Sequence, residues 1–332
     1  MFNVAIIGAG TMGGVHAGHY DALPDSRVMA VLDIRLEAAE RLAESYSASA
    51  YDNMEKMLAE EDIDIVSITT PTPYHKKCVL TAAAAGKHIF CEKPIAMTVE
   101  DGLEMTEACR KAGVAFMVGH VLRYFPEYAA AKAMIDKGAV GKVGMVRTSR
   151  GGSFPQASGD WYADKSKSGG LVLDMIIHDF DWLRWSLGDV IRVYAKGLVE
   201  KAGEHKDYAL VTLRFANGAI AHVEGTWMRP DGFKTCLEVA GDKGLITFNN
   251  DDSAPIKLAF TGSGGAGNAV AVPNSPLAEE DDPYRLEIAD FLKAIKSEEE
   301  PPISGEDAVE ALKISLAVLE SISTGQPVEV LR

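Results

Sequence analysis

Three groups of residues carry side chains able to bind a ligand or move a proton. The first is Glu92-Lys93-Pro94, which follows Cys91 at the end of a short apolar run, Lys87-His88-Ile89-Phe90. That run follows an alanine-rich helical stretch closed by Gly86, and it reads as a buried strand. A Glu-Lys pair directly after such a strand stands where open α/β sheets receive ligands, at the carboxyl ends of their strands. Pro94 then stops the strand. On its own, a solvated loop with a surface lysine is the better explanation of the tripeptide, and two other groups shift that balance.

The second group is Gly8-Ala9-Gly10-Thr11-Met12-Gly13, which directly follows an apolar, β-branched run at residues 2–7. Gly8 suits a tight turn, Gly10 allows a pyrophosphate to approach the backbone, and Gly13 allows close packing of helix on strand. The helix predicted over residues 12–22 would offer its amide donors and dipole to phosphate. A second strand, residues 27–32, ends at Asp33-Ile34-Arg35, roughly 20 residues beyond the loop, where dinucleotide binding needs an acid for the ribose hydroxyls. Asp33 would repel a 2′-phosphate and so favours NAD. Arg35 leaves NADP open, because a guanidinium could pair with that phosphate or stack on adenine.

The third group is Asp174 and His178, four residues apart in a predicted helix over residues 171–187 that is otherwise apolar. That spacing places them on one face, and two polar groups in a buried helix must be paired. His178 is either a base or an imidazole satisfied by the carboxylate one turn back. With no third ligand in sight, no metal is expected. Asp179 and Asp181 read as solvated.

The elements needed to carry these groups alternate. Helices at residues 36–46, 54–59, 74–85 and 99–112 separate strands at 48–51, 63–69, 87–90 and 114–118. Thr70, Pro71 and His75 flank the end of the fourth strand, beside the nicotinamide side of such a site. Six strands with crossovers predict a doubly wound parallel sheet over residues 1–120. Residues 121–332 predict an α+β domain with a largely antiparallel open sheet, including a hairpin at Asn217-Gly218. In it the 151–170 segment reads as a long loop and 261–276 as a mobile, low-complexity one. The closing helix, capped by Ser304 and ended near Gly325, is a candidate to pack back on the first domain.

Composition narrows the partners. The 332 residues exceed one core's usual reach, so two domains are expected. A formal charge of −15 argues against nucleic acid or an anionic membrane as the main partner. No run is long enough to span a bilayer and the N-terminus lacks signal-peptide features, so a cytoplasmic protein is expected, its four cysteines free thiols.

The chain resembles the glucose-fructose oxidoreductase/inositol dehydrogenase (GFO/IDH/MocA) family. The likeness rests on Gly8 to Gly13, Thr70-Pro71 with His75, Glu92-Lys93-Pro94, Gly169-Gly170 followed by Asp174 and His178, and the closing Thr324-Gly325-Gln326-Pro327-Val328. The resemblance implies a nicotinamide dinucleotide along Gly8 to Gly13 and Asp33, with Lys93 and His178 flanking the reacting carbon and Asp174 beside the substrate. It implies oxidation of a secondary alcohol on a sugar or cyclitol, or the reverse. Met175-Ile176-Ile177 stand where members often carry glycine, and His120 where they carry varied polar groups; both departures bear on substrate choice. His178 suits the base, Lys93 the stabilisation of alkoxide charge, and Asp174 the orienting of hydroxyls or imidazole. Arg123, Tyr124, Trp161, Tyr162 and Tyr284 are further candidate substrate contacts. A homodimer or homotetramer is expected. The alternative is a non-catalytic dinucleotide-binding sensor on the same scaffold.

Overall fold

The computed structural model describes residues 1–155, 161–198, 207–229, 232–251, 256–260, 270–272 and 282–330. They fall into two compact units. One holds residues 1–121, Trp161 and the described part of 278–312; the other holds the described parts of 122–156 and 162–277 with residues 313–330.

The first unit alternates strand and helix: β1 (Phe2–Ile7), α1 (Thr11–Ala22), β2 (Ser26–Leu32), α2 (Leu36–Glu44), β3 (Ser49–Tyr51), α3 (Met54–Glu60), β4 (Ile65–Ile68), α4 (His75–Ala84), β5 (His88–Glu92), α5 (Val99–Ala112) and β6 (Phe116–Gly119). The strands form a parallel sheet in the order β3-β2-β1-β4-β5-β6. Val4 to Ile7 and Ile65 to Ile68 are wholly buried, which is why these segments read as unbroken runs. The order in which successive strands are added reverses between β1 and β4, and open sheets bind ligands at such a switch point. Residues from the end of the chain complete this core. Phe291 meets Phe90 edge-on at 5.6 Å, and Val118 donates its amide to Ile303 O at 3.4 Å.

The second unit contains α6 (Pro126–Asp136), β7 (Val143–Gly151), α7 (Lys165–Ser168), α8 (Gly170–Asp174), α9 (Ile177–Leu187), β8 (Val190–Leu198), β9 (Tyr208–Phe215), β10 (Ile220–Thr226), β11 (Lys234–Gly241), β12 (Gly244–Asn249), β13 (Ile256–Phe260), β14 (Val270–Val272) and β15 (Val328–Glu329). The sheet runs β14-β13-β12-β11-β7-β10-β9-β8-β15. Every pairing is antiparallel except β7 with β10. The Asn217-Gly218 hairpin joins β9 to β10, with Gly218 at φ 95°. Along β9, Ala209, Val211, Leu213 and Phe215 are buried while Leu210 and Arg214 are exposed, so one face packs under the helices.

Four expectations need correction. The strand β5 includes Glu92 rather than ending before it, and Glu92 is buried. Residues 171–187 form two helices, because Ile176 donates its amide to Leu171 O, five residues back, at 3.2 Å. That widened turn seats Ile176 on Gly225 of β10, where any Cβ would collide with its Cγ2. Four-residue spacing therefore does not by itself put Asp174 and His178 on one helix face. Asp179 and Asp181 are buried, not solvated. Within the expected 261–276 loop, residues 270–272 are strand; its expected mobility concerns residues outside those described.

Candidate active site

The glycine loop follows its steric expectations. Gly8 has φ +103°, and a Cβ there would lie 3.0 Å from the Thr69 carbonyl carbon and oxygen. A Cβ at Gly13 would run into Gly8 O, whereas Gly10 has nothing within 4 Å of where its Cβ would be. The loop thus has hard contacts at its two ends and open space at its middle glycine. No side chain caps α1, whose N-cap is Gly10, and Thr11 and Met12 begin its first turn. With no side-chain cap, the first amide donors of this helix suit an anion.

Asp33 closes the loop from β2. One carboxylate oxygen accepts from Ala9 N at 2.9 Å and the other from Arg35 N at 2.9 Å. A carboxylate oxygen has more than one lone pair, so each keeps capacity for a ribose hydroxyl. The Arg35 guanidinium lies 3.6 Å from Asp33 and is half exposed; Ile34 between them is 87% exposed. Across the switch point, Thr69 Oγ1 donates to the β1-loop carbonyls, while the buried Thr70 Oγ1 has no hydrogen-bond partner. An uncapped helix, an open glycine and an orphaned hydroxyl along one sheet edge fit a dinucleotide with a polar end group.

Lys93 leaves the carboxyl end of β5 half-buried, and its peptide bond to Pro94 is cis. Pro71 begins the turn beside Thr70. Two expected cofactor ligands lie inward instead. The His75 ring is buried with Nε2 2.9 Å from Thr70 O and Nδ1 3.0 Å from Pro94 O, so it braces the two loops from beneath. The Glu92 carboxylate is held by His16 at 3.0 Å. Burial favours its neutral form, yet the hydrogen bond from His16, the Lys93 charge and the Lys93 main-chain amide hold its pKa below the usual range.

In the second unit, Gly169 and Gly170 adopt left-handed backbone, and Asp174 and His178 follow at the end of α8 and the start of α9, both half-buried. Asp179 is gripped by Thr148 Oγ1 at 2.6 Å and Arg150 Nε at 2.7 Å. Asp181 receives both Arg123 Nε and Nη2, at 2.8 and 2.6 Å. Arg123, expected at the substrate, thus directs its guanidinium to a buried partner. His120 is completely buried, whereas Tyr124, Trp161, Tyr162 and Tyr284 are half-buried. Sequence reasoning missed His16, Ser67, Thr148 and Arg150. The available signal was two aspartates among apolar positions 176–183, which burial would oblige to find cations.

Three histidines give the first unit a predictable acid sensitivity. Burial is the largest influence lowering the pKa of His75, and likewise of His19 and His88, from 6.5. As pH falls, the unfolded chain therefore takes up these protons before the folded one, and stability drops below about pH 6.5. The melting temperature is expected to be flat near neutrality and to decline from about pH 6.5 downward, with a shallower decline in His75→Gln. A melting temperature that rises on acidification through this window would contradict the assignment.

A doubly wound sheet with this loop, acid and helix terminus defines a dinucleotide-binding domain. The chain belongs to the GFO/IDH/MocA oxidoreductase family. The family's NAD-binding Rossmann profile matches residues 2–120, and its C-terminal domain profile matches residues 128–247. The chain is 33% identical to inositol 2-dehydrogenase of Rhizobium meliloti and 31% identical to myo-inositol 2-dehydrogenase of Thermotoga maritima, each alignment covering 98% of both chains. A solved levoglucosan dehydrogenase, in complex with NADH and L-sorbose, superposes with TM-score 0.89 at 26% identity, covering 100% of this chain and 99% of that one. Among the described residues, no helix is long and apolar enough to cross a membrane, and no three His, Cys, Asp or Glu side chains gather as a metal site.

Proposed function

We propose that this protein is an NAD-dependent dehydrogenase of a secondary alcohol on a cyclitol, sugar or sugar derivative. The observation that carries the reading is Lys93 at the carboxyl end of β5, on the sheet edge where the glycine loop and Thr70 offer a dinucleotide site. The relatives' inositol and levoglucosan activities support a polyhydroxylated, uncharged substrate. Bound nicotinamide supplies the hydride acceptor. The chain supplies the rest. His178 takes the hydroxyl proton, because the carbon releases hydride readily only as that proton departs. The Lys93 ammonium stabilises charge developing on the oxygen, and Asp174 orients substrate hydroxyls or the imidazole. Tyr124, Trp161, Tyr162 and Tyr284 are proposed contacts for the polyol's apolar faces. Spectroscopic screening of sugars, cyclitols and nucleotide sugars for nicotinamide reduction tests this; cofactor binding without any turnover would favour the sensor.

Asp33 makes NAD the preferred cofactor. Its carboxylate is fixed by two backbone amides, so it cannot swing away from a 2′-phosphate. NADH is expected to bind at least about 10-fold tighter than NADPH, and Asp33→Ser to close most of that gap. Tighter NADPH binding by the unaltered protein, measured by titration, would make Arg35 the dominant residue.

We also propose a homodimer or homotetramer formed through the outward face of the second sheet. There Leu198, Leu210 and Tyr194 are 55%, 45% and 39% exposed on adjacent strands. Light scattering at micromolar concentration is expected to give a dimer or tetramer mass, and a monomer would refute it.

A further inference from the structure

We propose that His16 is a positioning residue for Lys93, acting through Glu92. His16 lies on α1 three residues beyond Gly13, with its ring buried. Nε2 is 3.0 Å from Glu92 Oε1 and Nδ1 is 2.8 Å from Ser67 Oγ of β4. The second carboxylate oxygen, Glu92 Oε2, accepts from the main-chain N–H of Lys93 at 3.1 Å. Phe90 closes the remaining side edge-on, with ring centroids 5.2 Å apart.

The donor order follows from elementary capacity. An ionised carboxylate only accepts, so Nε2 donates to Glu92. In a neutral ring Nδ1 must then accept, and the Ser67 hydroxyl donates to it. The chain of contacts runs from β4 through α1 to the last residue of β5 and ends on the amide of Lys93. Three buried polar side chains are costly where apolar ones would fill the same core. What their geometry produces is a fixed main chain where Lys93 leaves the sheet, tied to the helix that begins at the glycine loop. A small displacement of such a group can lower turnover by about 10²-fold. The inference rests on the proposed role of Lys93 at the alcohol.

Two variants separate the ring's two nitrogens. In His16→Asn the amide overlaps the Nδ1 position, so the Ser67 contact survives and Glu92 loses its donor. In His16→Gln the longer side chain reaches the Nε2 position and retains a donor for Glu92. Residue-resolved hydrogen exchange is measured on the full chain. The Lys93 amide is expected to exchange about 10-fold faster or more in His16→Asn and within about 3-fold of the parent in His16→Gln, with Phe90 and Cys91 unchanged in both. With a substrate from the screen, kcat should fall about 10-fold or more in His16→Asn and recover in His16→Gln, while NADH affinity changes less than about 3-fold. Unchanged Lys93 exchange in His16→Asn, unchanged kcat despite faster exchange, or equal losses in both variants spreading to Phe90 and Cys91 would overturn the proposal. If the exchange pattern appears but the parent protein turns over no alcohol, the dehydrogenase reading fails while the His16-Glu92-Lys93 linkage stands, without its catalytic consequence.

Discussion

Replacing Lys93 by Met is expected to lower kcat by about 10²-fold or more, and His178→Asn to do the same, with NADH affinity nearly unchanged. Met keeps the bulk of the lysine stem but removes its charge and donors, so developing alkoxide charge is left unstabilised. Asn removes the base, so the hydroxyl proton has no acceptor. The affinity should survive because Gly8 to Gly13 and Asp33, the proposed holders of the dinucleotide's phosphates and ribose, are untouched. The oxidation rate of the parent should rise with pH as the base loses its proton, and His178→Asn should lose that limb. Steady-state kinetics over a pH series, with cofactor titration alongside, checks all of this. Unaltered turnover in both variants would remove these residues from the mechanism.

The second large effect concerns stability. Arg150 and Asp179 form a buried ion pair at 2.7 Å, with side chains 4% and 1% exposed. Deleting one partner leaves the other charge buried and uncompensated, so Arg150→Met is expected to destabilise the protein by about 3–5 kcal/mol. The double variant Arg150→Met, Asp179→Leu should recover part of that loss, since no unpaired charge remains, although the Thr148 hydroxyl loses its acceptor. Chemical unfolding of the three proteins measures the difference. A single variant within about 1 kcal/mol of the parent would show the pair to be solvated after all.

Those aspartates mark where the sequence stops being readable. The first sheet was legible because its strands are buried on both faces and its glycines have steric duties that no other residue can perform. Asp33 at the end of β2 followed from the same logic. The pairing of Asp179 and Asp181 was not legible, since their cations lie 29 and 58 residues away in β7 and just after β6. A spacing rule for helices reaches four residues, not fifty. The break at Met175-Ile176 was hidden for a related reason: Ile176 is displaced into the hollow over Gly225, a residue of a distant strand. Periodicity sees an apolar helix there and cannot see the hollow. Glu92 and His75 were assigned to the cofactor from their positions beside a strand end, but position along the chain does not fix whether a side chain turns outward or into the core. His16 carries no signal in the sequence, because its partners, Ser67 and Glu92, come from two other strands.

The most direct test of the dehydrogenase reading follows the hydrogen itself. The protein is incubated with NAD and a pool of sugars and cyclitols deuterated at every carbinol carbon, and the reduced nicotinamide is analysed by mass spectrometry. Because every carbinol position is labelled, the reacting carbon need not be known beforehand. Deuterated NADH is expected from the parent protein, with its formation reduced about 10²-fold or more in Lys93→Met. No deuterated NADH from any compound in the pool, under conditions where NADH is shown to bind, would contradict the assignment of this chain as a polyol dehydrogenase.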